Sequence, residues 1–151
     1  MFSVSGKQFA QMASSFSMTR VIEFCETDMA GIVHFSNFYC WMEQAEHAFF
    51  RSLGLTIANE QDNGTTIGFP RVSASCRFAS TARFEDELKV LLQVQRIGVK
   101  SLTYEFVFSI DDRLVASGTL KTVCCQFLPG ESLQSIEIPE LYLSKIQEYS
   151  G

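Results

Sequence analysis

From Ser36 to about Leu53 the apolar residues of this chain recur at helical spacing, whereas after residue 70 they recur mostly at every second position. Phe38, Trp41, Met42, Ala45, Phe49 and Leu53 share one helical face, with Glu43, Gln44, Glu46, His47 and Arg51 toward the solvent side. Gly54 is placed to end that helix. Three alternating runs follow: Val72, Ala74, Cys76 and Phe78; Leu88, Val90, Leu92 and Val94; and Leu102, Tyr104, Phe106, Phe108 and Ile110. Asp111-Asp112 reads as a hairpin turn into a last long strand from about 113 to 127. A first strand is expected over 19–26, and a polar connection with a short helical piece over 56–68. Pro139 and Glu140 suit the start of a short terminal helix ending near Tyr149. One long helix among strands joined by short connections predicts a single α+β domain, an antiparallel sheet with one face covered by the helix.

At 151 residues, 46% apolar and 19% charged, the chain is large enough to build a core without metals or disulfides. A formal charge of −5 argues against general nucleic-acid binding. No stretch approaches the roughly 20 apolar residues of a membrane span. Residues 1–17 lack the continuous apolar segment of a secretion signal and read as a flexible extension ahead of a domain over 18–151. The five cysteines, Cys25, Cys40, Cys76, Cys124 and Cys125, are odd in number and include no Cys-x-x-Cys pair. Reduced, packed thiols in a cytoplasmic protein are the simplest reading. His34 and His47 are the only histidines, and no pattern around them completes a zinc site.

The run from Glu26 to Glu43, ETDMAGIVHFSNFYCWME, carries the chemistry. Asp28 precedes Ala30-Gly31, which permit a close turn, and Ser36 offers a cap to the helix that follows. A carboxylate held beside the free N–H groups of a helix terminus suits reaction at a carbonyl.

That run resembles the signature of the 4-hydroxybenzoyl-CoA thioesterase family of hot-dog-fold proteins, and Gly68-Phe69-Pro70-Arg71-Val72 resembles the family's entry into its second strand. The resemblance implies a sheet wrapped around the long helix, and assembly as a homodimer or homotetramer. It also implies an acyl-CoA substrate bound where protomers meet, with coenzyme A as part of the substrate and no separate cofactor. Asp28 matches the catalytic aspartate. Phe35 matches the residue whose backbone N–H polarises the thioester carbonyl, although Tyr or His is common there. Glu43 matches an acidic position that touches the hydroxyl of an aromatic acyl group. Lys100 falls in the loop that meets the nucleotide end of CoA.

A lone Asp28 would read as a turn residue; the surrounding run makes it the candidate nucleophile or general base. His34 either orients substrate or water or packs at an interface. Ser36 and Asn37 read as helix caps that fix the carbonyl-binding donors indirectly, and Asn37 joins Glu43, Lys100 and Arg96 as the substrate-binding set. Lys100 and Arg96 offer charge to CoA phosphates. His47 reads as a surface or interface residue. The expectation is an acyl-CoA thioester hydrolase. The alternatives are a non-catalytic acyl-CoA or acyl-carrier-protein binding module, and a hot-dog hydratase or dehydratase using His34.

Overall fold

A computed structural model describes residues 15–149. Its main sheet has five antiparallel strands: β1 (Phe16–Val21), β4 (Arg71–Phe78), β5 (Glu87–Ile97), β6 (Ser101–Ile110) and β7 (Arg113–Val123), in the order β1-β5-β6-β7-β4. Helix α1 (Ser36–Ser52) lies across one face. A smaller sheet holds β2 (Ala58–Glu60), β3 (Thr66–Gly68), β8 (Cys125–Phe127) and β9 (Gln134–Ser135), and α2 (Glu140–Ile146) follows, running into a 3-10 turn at Gln147–Tyr149. The expected α+β arrangement of antiparallel sheet and long helix is present.

Register explains the core. Val90 pairs with Phe108 and Phe108 with Ala116; Leu92 pairs with Phe106 and Phe106 with Gly118; Val94 pairs with Tyr104 and Tyr104 with Leu120. Those side chains share one sheet face and bury it against Phe38, Trp41, Met42, Ala45, Phe49 and Phe50 of α1. Gly118 lets the helix approach, because a Cβ there would run into the Met42 sulfur. At the helix end Gly54 takes φ +71°, and the Leu55 N–H bonds the Phe50 carbonyl at 2.9 Å.

Several boundaries differ from the sequence reading. β1 runs over 16–21 rather than 19–26, because Phe16 packs on Phe49 with ring centroids 5.8 Å apart and the chain turns after buried Ile22 into a 3-10 turn at Phe24–Glu26. The extension assigned to 1–17 therefore yields its last two residues to β1, and residues 1–14 lie outside those described. The 56–68 connection is the β2–β3 hairpin instead of a helical piece. The long final strand breaks at Cys124, whose N–H bonds Lys100 O at 2.7 Å, so that β7 stays in the main sheet and β8 pairs with β3. Glu46 is fully buried, not on the solvent face: it packs between α1 and β4, where Arg71 donates to its Oε1.

β4 is the outlier. Among the described residues it pairs only with β7, and apart from half-buried Cys76 all its residues are exposed, Val72 and Phe78 by more than half. The expected alternation is not expressed as burial: α1 meets β4 at Phe78, which stacks on Phe38, and through Arg71, and leaves most of its surface open.

Candidate active site

Asp28 sits at the head of a tight turn closed by backbone bonds. Its N–H reaches Ile32 O at 2.9 Å, its carbonyl accepts from Gly31 N at 3.0 Å, and Thr27 bridges Val33. Gly31 at φ +71° supplies the left-handed residue that closing the turn requires. Oδ1 of Asp28 accepts from Ala30 N at 2.8 Å, which holds the carboxylate on the turn and leaves Oδ2 without a partner among the described residues.

The helix entry is built differently from the expected serine cap. Ser36 is the first helical residue, Phe35 stands at the N-cap in helical conformation, and no side chain caps through a serine hydroxyl. His34 serves instead. Its Nδ1 accepts from Ser36 N at 3.3 Å and lies 2.7 Å from Ser36 Oγ, so the ring proton belongs on Nε2. The imidazole also lies over the Phe35 ring, centroids 4.7 Å apart. Asn37 reaches backward, its Nδ2 donating to Glu26 O at 2.8 Å. The first-turn amides of Asn37 and Phe38 bond the carbonyls of His34 and Phe35, at 3.0 and 3.2 Å. The Phe35 N–H has no acceptor among the described residues and is free to bind an oxygen from outside the chain.

Asp28 and Phe35 line one cleft of about 400 Å³ with Ile32, Val33, Phe38 and the segment from Phe78 to Ala82. Its walls are mainly apolar. Phe78 and Phe38 stack with centroids 5.3 Å apart, and Phe38 meets Phe108 edge-on at 5.2 Å. Apart from Phe78, the 78–82 wall had no sequence signal beyond a run of small residues; the Val33 N to Ala82 O bond, 2.8 Å, brings it beside the Asp28 turn.

The other expected residues are dispersed. Glu43, more than half exposed, lies two helical turns beyond Phe35, with Oε1 3.9 Å from His47 Nε2. His47 is held below its ordinary pKa by burial, against the pull of Glu43. Arg96 and Lys100 lie at the far end of the main sheet from Asp28. The 11 residues of β5 separate its ends by about 33 Å, and the Asp28 turn is anchored near the other end through Ala82 and Arg83. One chain does not bring them to the Asp28 cleft.

Cys76 and Cys124 are pushed by burial to about 11, so these thiols stay protonated. Cys25 and Cys40 are exposed, which departs from the packed-thiol expectation for those two. No helix among the described residues is long and apolar enough to cross a membrane.

The profile of the thioesterase-like superfamily matches residues 22–146, from the end of β1 through α2. The chain belongs to the thioesterase-like superfamily. Among curated relatives of this superfamily member, a 4-hydroxybenzoyl-CoA thioesterase of Pseudomonas sp. (strain CBS-3) is 30% identical over 141 residues, covering 87% of this chain and 97% of the relative. A 1,4-dihydroxy-2-naphthoyl-CoA hydrolase of Nostoc punctiforme is 30% identical over 132 residues, covering 82% and 87%. The solved structure of a gentisyl-coenzyme A thioesterase superposes with a TM-score of 0.74 at 32% identity, covering 84% of this chain and 98% of that one. The thioesterase-like match and the hot-dog architecture thus agree with the resemblance first carried by residues 26–43.

Proposed function

We propose that this chain hydrolyses an acyl-CoA thioester to the free acid and CoA, with an aromatic acyl group favoured. The observation that carries the reading is one free carboxylate oxygen of Asp28 and one free Phe35 N–H on the same apolar cleft. The carbonyl oxygen of the thioester accepts from the Phe35 N–H, which stabilises the charge that develops there. Asp28 Oδ2 either attacks the carbonyl carbon, giving a mixed anhydride that water then opens, or takes a proton from an attacking water. Both routes consume one water, break the C–S bond and leave CoA as its thiol. The relatives named above act on hydroxylated aromatic acyl-CoAs by their names, and the phenylalanine-lined cleft suits a flat apolar group. His34, with Nε2 carrying the proton, is a donor to substrate or water beside Phe35.

The working unit in this reading is a homodimer or homotetramer. The open edge of β4 supports it, since an uncovered strand with exposed apolar residues pairs readily with another chain. So does the placement of Arg96 and Lys100, which can contribute charge to CoA phosphates at an Asp28 cleft only from a partner. Five free cysteines favour a reducing compartment, the cytoplasm.

Thiol release from a panel of aromatic and aliphatic acyl-CoAs, wild type against Asp28→Asn, tests this. Wild-type turnover with a loss of about 100- to 10,000-fold in the folded variant is expected. Equal release by both proteins removes Asp28 from the mechanism and turns attention to Glu43. Binding without turnover supports the non-catalytic alternative.

A further inference from the structure

Glu26 stands two residues before Asp28, and its side chain joins three elements. Arg20 of β1 forms an ion pair with its Oε1, which also accepts from the Trp41 indole N–H at 3.3 Å. Oε2 accepts from Glu23 N in the 3-10 turn at 2.9 Å. Arg20 continues to α1 twice more: its guanidinium carbon lies 4.6 Å from the Trp41 ring centroid, and Nη1 donates to Gln44 Oε1 at 3.0 Å. The two charged side chains are 17% and 15% exposed, so their attraction is weakly screened by solvent.

The main chain of the same residue holds the other half of the site. Glu26 O accepts from His34 N at 2.9 Å and from Asn37 Nδ2 at 2.8 Å, one donor on each side of Phe35. Glu26 is therefore fixed by its side chain to β1 and α1, while its carbonyl fixes the segment that presents the Phe35 N–H. Asp28 is two residues from the same anchor. Moving Glu26 moves both reactive groups.

We propose that the Arg20–Glu26 ion pair, clamped on Trp41, is a positioning pair that sets the distance between the Asp28 carboxylate and the Phe35 N–H. Neither residue touches the cleft; both act through the turn that they anchor. The catalytic consequence rests on the thioesterase reading, whereas the mechanical one does not.

The experiment uses the full chain and two readouts, acyl-CoA turnover and backbone hydrogen exchange, on Arg20→Met and Arg20→Lys. Met keeps an apolar stem over Trp41 and leaves Glu26 its two N–H donors but no cation; Lys restores the charge. In Arg20→Met, exchange over residues 26–38 should rise at least about tenfold, while β6 and β7 stay as protected as in wild type. In the same variant kcat should fall about 100-fold, the scale of a small misplacement of reacting groups. KM should stay within about threefold, because the cleft walls are untouched. Arg20→Lys should recover most of both losses. Unchanged exchange over 26–38, or an equal rise across β6 and β7, overturns the proposal, since the first shows no clamp and the second a merely global loss of stability. Should Arg20→Met not fold, Glu26→Gln, which removes the opposite charge, is held to the same outcomes. A wild type that cleaves no acyl-CoA defeats the thioesterase reading, while the exchange data still decide the clamp.

Discussion

Arg71 reaches from the open edge of β4 to Oε1 of Glu46 at 2.5 Å, and Glu46 has no exposed surface. Burial raises the Glu46 carboxyl to about 7, Arg71 working against that rise and Glu43 adding to it, while Oε2 is buried without a hydrogen-bond partner among the described residues. The folded chain therefore keeps this proton up to about pH 7, and the unfolded chain releases it near the ordinary 4.5. Between those values the folded state binds more protons, so stability falls as pH rises through that window. At about 1.4 kcal/mol per pH unit, the loss amounts to about 3 kcal/mol. Glu46→Gln removes the titration and keeps an acceptor for Arg71. Its stability relative to wild type should climb from pH 4.5 to 7 and level above. Urea unfolding of both proteins at several pH values checks this, and a difference independent of pH would contradict it.

Glu46 also shows where sequence reading stops. Helical spacing set it with the charged residues toward solvent, at the margin of the apolar face; the partner that accompanies its burial, Arg71, is 25 residues away. Helix α1 and strands β5 and β6 were legible because their own chain buries them, so periodicity and burial coincide. The turn with Asp28 and Phe35 was legible as a local run. Arg20 was invisible in that role because it acts through non-local contacts with Glu26, Trp41 and Gln44. Alternation in β4 grouped Val72, Ala74, Cys76 and Phe78, but did not tell that only Cys76 would be half-buried while the others stay exposed. The separation of Lys100 from Asp28 is a matter of topology, which spacing along the chain does not encode.

The open face of β4 leads to an expectation about assembly. Val72 is 57% exposed on a strand whose outer edge has no partner among the described residues. Sedimentation should show the wild type as a dimer or tetramer, and Val72→Lys should shift it toward monomer by placing charge on the pairing edge. Turnover should fall with dissociation if Arg96 and Lys100 serve a partner's cleft. A wild type that sediments as a monomer at micromolar concentration would end this account of β4.

Phe35 offers the sharpest separation of backbone from side chain. Its φ is −55°, close to the value that a proline ring imposes, and its N–H bonds nothing among the described residues. Phe35→Pro therefore deletes one donor and no hydrogen bond within the chain. Phe35→Ala deletes the ring and keeps the donor. If the N–H stabilises the developing oxyanion, the proline variant should lose about 100- to 1,000-fold in kcat. The alanine variant should lose mainly affinity, because the ring lines the cleft. Proline also restricts the residue before it, so the His34 N to Glu26 O bond must be seen to survive, by exchange at that amide. With that bond intact, equal kcat in the two variants would place the carbonyl elsewhere in the cleft and remove Phe35 from the chemistry.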